Sequence, residues 1–111
     1  MNDSSLISSD KMYTKLVEVG EAWADLKAAY HALDDSAPSV LADLTMAYKG
    51  DGSRIEAEMM ARRSQQYRDH LASVAVAHKA YLRAQVRYDS LRTLVELRRS
   101  EESTRRAEMR L

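Results

Sequence analysis

The feature that most constrains this chain is a seven-residue grid: Tyr67, Val74, Tyr81, Tyr88 and Val95 recur at a strict heptad interval, with Leu71, His78, Ala84 and Leu91 thickening the stripe between them. An α-helix turns every 3.6 residues, so a stripe of this period lies on one face of a single long amphipathic helix. A strict heptad drifts by about 20° per repeat on a straight helix, so the stripe stays together only if the helix coils against another one. The grid therefore asks for a helical neighbour along most of its length.

The upstream sequence offers such a neighbour. Met12, Leu16, Val19, Trp23, Leu26, Tyr30 and Leu33 follow one another at alternating spacings of four and three, the a/d pattern of a helix that packs on a helix. Gly20 is the weak helix former within it, and Ser9 or Asp10 is placed to cap its start. Asp34, Asp35, Ser36, Ala37 and Pro38 read as a break, because proline lacks an amide proton and pushes its predecessor out of the helical region. A short helix over 37–49 is expected next, with Ser36 as cap, Pro38 in the first turn and Val40, Leu41, Leu44 and Tyr48 on its face. Gly50, Asp51 and Gly52 make a sharp turn. The turn has neither the Lys-Ser/Thr of a phosphate loop nor the ligand spacing of a calcium loop, so it reads as chain reversal. Ser53 and Glu56 form a capping box that opens the long helix, expected over 53–99.

These signals predict a flexible tail over 1–9 and one helical domain over 10–111, with helices at about 10–34, 37–49 and 53–99. A charged segment over 100–111 continues as helix, supported by Glu101 with Arg105 and Glu102 with Arg106 at i, i+4. At 1.5 Å per residue the long helix would reach about 70 Å, against about 36 Å and about 20 Å for the other two. The short helices would not cover the long one. The expected fold class is therefore all-α: three helices with one long C-terminal amphipathic helix, hairpin-like and completed by other copies as a coiled-coil homo-oligomer. The expected packing seam is Leu16, Val19, Trp23, Leu26 and Tyr30 against Tyr67, Leu71, Val74, Tyr81, Tyr88, Leu91 and Val95.

Composition narrows the chemistry. With no cysteine there is no disulfide framework, thiolate metal site or thiol nucleophile, which is compatible with a reducing cytoplasm. The longest uncharged run, Leu71 to His78, is too short to span a bilayer, and the polar, acidic N-terminus does not resemble a signal peptide. A cytoplasmic protein without a membrane anchor is expected. His31, His70 and His78 form no metal-ligand set, and no nucleophile turn or facing carboxylate pair stands out. The expectation is a non-enzymatic protein without metal or cofactor.

The net charge of zero hides an asymmetry: residues 1–53 hold 4 Lys, no Arg and 9 acids, whereas residues 54–111 hold 12 Arg, 1 Lys and 8 acids. Either the acidic half packs on the basic half, within a chain or between chains, or the basic half meets a polyanion. Projected at 100° per residue, Arg68, Lys79, Arg83, Arg87 and Arg98 fall within about 120° of arc opposite the tyrosine seam. Lys79, Arg83 and Arg87 are successive i, i+4 neighbours of like sign, a repulsion of roughly 0.2–0.5 kcal/mol per pair that a phosphate backbone would relieve. The alternative is a solvated or intersubunit face. Tyr81 and Tyr88 beside Arg83 and Arg87 admit a base-stacking reading, or a core reading with the hydroxyls at the rim. Arg63, Arg92 and Arg99 project toward the seam and are expected to meet acids such as Glu18, Asp25, Asp34 or Asp35, from the same chain or another.

The closing run, from Leu91-Arg-Thr-Leu-Val-Glu-Leu-Arg-Arg to Arg-Arg-Ala-Glu-Met-Arg-Leu111, follows an Ala-, Tyr- and Arg-rich helix. It resembles the ending of small helical proteins of tailed phages, and the broad layout is similar to the UvsY-type recombination mediators. The resemblance implies an oligomeric α-helical protein that binds single-stranded DNA and helps load a recombinase. It also implies Arg83, Arg87, Arg98, Arg99, Arg105 and Arg106 as phosphate contacts. Two expectations follow: a single-stranded nucleic-acid binder acting in recombination or replication, or a protein-interaction module, an adaptor or inhibitor of a phage or host protein, that ignores nucleic acid.

Overall fold

The computed structural model describes residues 9–110. Residues 1–8 of the expected tail, and Leu111, lie outside the described residues. The protein is all-α, with helices α1 (Ser9–Lys49), α2 (Arg54–Arg63) and α3 (Gln65–Met109). Its packing divides into two compact units. One, here the terminal unit, pairs residues 9–24 with residues 82–110; the other, the turn unit, comprises residues 25–81.

The first correction is at Pro38. Helices expected over 10–34 and 37–49 are one helix of 41 residues with Pro38 in its interior. An interior proline costs about 3 kcal/mol, since it removes one backbone hydrogen bond and crowds the carbonyl four residues back. The a/d register runs through it undisturbed: after Tyr30 and Leu33 come Ala37, Val40 and Leu44, each half-buried. Burying Val40, Leu41 and Leu44 even in part contributes on the order of 1 kcal/mol each, enough to keep the helix on its partner past the proline. The carbonyl of Leu33, one turn before, also accepts from Ser36 Oγ at 2.7 Å, and His70 Nε2 lies 3.0 Å from it. With its hydrogen on Nε2, His70 donates to that carbonyl and to Ser36 Oγ, 3.3 Å away. These contacts tie α3 to α1 one residue before the Asp34 carbonyl that the proline leaves without its helical donor.

The turn unit closes at the expected reversal. Gly50 takes φ +46°, the left-handed region that favours glycine. Gly52 N–H then donates to Lys49 C=O at 2.8 Å. Ser53 caps α2, its Oγ accepting from the amides of Ile55 and Glu56 at 3.2 and 3.5 Å.

The second correction is at Ser64, where the helix expected over 53–99 is interrupted. Ser64 is extended at φ −67°, ψ 151°, and serves two helices at once. Its hydroxyl donates to Ala61 C=O at 2.6 Å and accepts from Tyr67 N–H at 3.2 Å, ending α2 and capping α3. The break resets the phase. Ala57, Ala61 and Ser64 are buried, and an unbroken helix would carry that face on to Arg68, Leu71 and Ala75. Instead Tyr67, His70, Val74, Ala77, Tyr81, Ala84, Tyr88, Leu91, Val95, Arg98 and Glu102, at spacings of three and four, are buried or half-buried in α3, with Ala80, Gln85 and Asp89 half-buried beside them. Leu71 therefore leaves the expected seam and is exposed; His78, exposed as well, still lies against the seam ring of Tyr30. Leu26, also expected in the seam, sits at its open edge.

The terminal unit is held by an antiparallel pairing of α1 with α3. Trp23 stacks on Tyr88, with centroids 5.1 Å apart and planes at 18°. A Cβ on Gly20 would lie 3.1 Å from Tyr88 Cε2, so the glycine makes room for the ring. Met12 and Val95 are buried, while Leu16, Val19 and Leu91 are half-buried. In the turn unit the equivalent pairing runs through Tyr30, stacked on His78 at 4.6 Å and on Tyr81 at 5.7 Å.

Continuity of α1 removes the reason given above for expecting extra copies. At 1.5 Å per residue α1 is about 60 Å long and α3 about 68 Å, so no large length mismatch remains. Any case for a partner must rest on the surface.

Candidate functional site

The basic residues do not share one outer face. In the frame of the observed seam, Arg98 occupies a seam position and is half-buried. The reason is the drift between 3.6 and 3.5 residues per turn, about 20° per heptad, which over four heptads carries a residue projected outward on a straight helix around toward the partner. Arg99 lies over the ring of Tyr13, its Cζ 5.8 Å from the centroid, and Arg92 lies 5.9 Å from the centroid of Tyr88 and 3.9 Å from Asp89. Within the chain the guanidinium groups of Arg99 and Arg92 thus lie against tyrosine rings. Arg106 Nε donates to the carbonyl of Glu102 at 3.5 Å, and Arg105 is exposed near the end of α3. Arg63, at the end of α2, is exposed, as are Arg68 and Lys79 on the α3 portion of the turn unit.

Arg83 and Arg87 remain, one turn apart on the terminal unit. Both are exposed, and among the described residues neither joins an ion pair. What lies beside them was not anticipated from the sequence. Val86, Leu94 and Leu97 are 65 %, 51 % and 55 % exposed, and in the seam frame they fall on the side of α3 turned away from Tyr88 and Val95. Ser90 and Thr93 fill the positions between, and the acids of this stretch, Asp89 and Glu96, occupy the flank. The result is an acid-free face on which aliphatic side chains alternate with two unpaired arginines. The signal was present in the sequence: Val86, Leu94 and Leu97 are the aliphatic residues left over once the seam is assigned.

The outward side of α1 in the same unit is mixed in charge, with the exposed Lys11 and Lys15 beside Glu18 and Glu21. Val17 is 56 % exposed, and it is followed by the exposed Glu18 and Glu21. Glu18 Oε2 lies 3.8 Å from Lys15 Nζ with both side chains largely in solvent, a separation at which such a pair contributes at most a few tenths of a kcal/mol.

The tyrosines are committed elsewhere. Tyr81 and Tyr88 are half-buried and stacked on Tyr30 and Trp23 respectively, so neither offers a free ring beside Arg83 and Arg87. His31 and His78 belong to the Tyr30 and Tyr81 cluster, with centroids 4.6–6.3 Å apart, and His70 holds the Leu33 carbonyl. Among the described residues no group of three or more His, Cys, Asp or Glu could hold a metal ion. No described helix is long and apolar enough to cross a membrane. The turn unit has an open groove lined by Pro38, Leu41, Thr45, Met46, Lys49 and Arg54. Glu58, at its edge, is bonded to Arg62 at 2.9 Å.

Comparison of the chain with protein-family models, with curated proteins and with solved structures finds no match to any of them.

Proposed function

We propose that the protein is a non-catalytic helical interaction module that works by covering the outer face of α3 in the terminal unit with another protein surface. The observation that carries this reading is the exposure of Val86, Leu94 and Leu97 together on a face without acids. Aliphatic side chains gain about 25 cal/mol for each Å² of apolar surface removed from water. On a protein interface that surface is covered, whereas along a phosphate backbone it stays hydrated.

The runner-up is the binding of single-stranded nucleic acid in recombination or replication. The feature that favours it is the unpaired couple Arg83 and Arg87, whose mutual repulsion a phosphate would relieve. It ranks second because sequence-tolerant binding of single strands uses free aromatic rings, and the two tyrosines nearest these arginines are stacked within the protein's own seam.

A photo-crosslinking residue at position 94, in the full chain expressed in cells, separates the readings. The protein-interaction reading expects a protein adduct from position 94 and none from an exposed position outside the face, such as Asp43 in the turn unit. An adduct to nucleic acid, or equal adducts from both positions, would overturn it.

A further inference from the structure

We infer that the open groove of the turn unit is a docking site for an extended, acidic segment of another protein, with aliphatic side chains over Pro38, Leu41 and Met46 and carboxylates on Lys49 and Arg54. The groove lies between the C-terminal half of α1 and the start of α2, within the turn unit alone. The inference therefore stands independently of the α3 face of the terminal unit. Three observations carry it. The first is shape, which suits a chain and not a compact ligand. The groove has a volume of about 400 Å³ and follows α1 from Pro38 to Lys49, about 16 Å of rise. Spread over that length the space is about one side chain wide, and an extended segment of about five residues would follow it at about 3.3 Å per residue.

The second observation is that the polar groups of the groove are satisfied except at one end. On the floor, the buried Thr45 turns its hydroxyl back to the Leu41 carbonyl at 2.7 Å, and on the wall Glu58 is held by Arg62 at 2.9 Å. The other acids of this stretch, Asp43, Asp51 and Glu56, do not line the groove. Lys49 and Arg54 do, and both are exposed; among the described residues neither joins an ion pair. An occupant thus meets apolar surface along Pro38, Leu41 and Met46, the last 69 % exposed, and two cations at the end. Its complement is an aliphatic run that closes on acids.

The third observation is that two of the lining residues are placed against the interest of the fold. Pro38 costs α1 a backbone hydrogen bond in its interior, and Arg54 puts a cation on the first residue of α2, where the helix dipole disfavours one. Such residues gather where function competes with stability. Each has a use in docking: the proline ring offers apolar contact with no side-chain entropy to lose, and Arg54 offers its charge. Met46, flexible and polarisable, adapts to the side chain laid over it.

The test titrates the full chain, carrying isotope-labelled methionine methyl groups, with three blocked pentapeptides: Leu-Val-Leu-Glu-Glu, the same sequence ending in Lys-Lys, and Ser-Gly-Ser-Glu-Glu. The Met46 methyl resonance is expected to shift with the first peptide, and that of Met12, buried in the terminal unit, to stay in place. The peptide ending in Lys-Lys should bind about tenfold more weakly, the size expected of two exposed ion pairs, and the peptide without aliphatics should leave Met46 unmoved. Lys49→Glu combined with Arg54→Glu should reverse the preference between the first two peptides, with helix content by circular dichroism unchanged. Pro38→Ala should bind the first peptide about threefold more weakly while melting at a higher temperature, which separates a role in docking from one in folding. Three results would overturn the inference: a Met46 methyl that none of the peptides moves, equal binding of the peptides ending in Glu-Glu and Lys-Lys, or the same preference in the double variant as in the wild type.

Discussion

Replacing Pro38 by alanine tests the continuity of α1, because the two ways of reading residues 34–38 predict opposite signs. In the observed helix Pro38 is interior and exposed. Alanine restores an amide that can donate to the Asp34 carbonyl and removes the ring that crowds it, a gain of about 3 kcal/mol over proline. Against this stands the greater freedom alanine gives the unfolded chain, about 0.4–1 kcal/mol. The ring lines an open groove, so little packing is lost. The net expectation is a stabilisation of about 2 kcal/mol, which for a chain of this size raises the melting temperature by roughly 10 °C. Had residues 37–49 formed a separate helix with Pro38 in its first turn, the missing amide would cost nothing, and the substitution would lower stability by about 0.5–1 kcal/mol. Urea and thermal unfolding followed by far-ultraviolet circular dichroism measure the difference. A loss of stability in Pro38→Ala would refute the continuous helix.

Other consequences are as direct. Gly20→Val places a branched side chain against the Tyr88 ring, where even a Cβ would sit at 3.1 Å; with that ring stacked on Trp23, overpacking of about 1–3 kcal/mol is expected, together with a shift in tryptophan fluorescence, and an unaltered protein would contradict the close approach. Ser64→Ala removes the hydroxyl that caps α3, which should cost about 1 kcal/mol in urea unfolding; no loss would mean that the interruption is held by other contacts. His70→Leu removes the donor to the Leu33 carbonyl, for an expected loss of about 1 kcal/mol. Combined with Pro38→Ala, the two effects should add to within about 0.5 kcal/mol, because His70 serves the Leu33 carbonyl and Pro38 affects that of Asp34, and strong coupling would contradict this assignment.

What the sequence disclosed follows from which signals are periodic and which are local. The rungs Tyr67, Val74, Tyr81, Tyr88 and Val95, and the run from Met12 to Leu33, are long-range and large in side chain, so the all-α fold was legible. The run's continuation through Ala37, Val40 and Leu44 was equally legible, but a local rule about proline was allowed to outrank it; a tertiary seam several turns long outweighs one lost backbone bond. Ser64 is harder to see. The residues that mark the phase before it, Ala57 and Ala61, are small, and an alanine declares no preferred side. Leu71 falls beside the heptad grid and reads as part of the seam, whereas His70 and Ala77 hold the register next to it. Arg98 was misplaced because a straight projection accumulates error with every heptad. The candidate site was hidden for a related reason: Val86, Leu94 and Leu97 stand out as a face only after the inner seam has been assigned elsewhere.

The most direct test of the central claim, that the outer face of α3 meets protein and not nucleic acid, is the solution mass of the full chain over a concentration series, with and without a single-stranded oligonucleotide at low salt. A mass that the oligonucleotide leaves unchanged at every concentration of the 12.6 kDa chain is the predicted result. A mass that stays at the single-chain value until oligonucleotide is added, and falls back as salt is raised, would contradict the account.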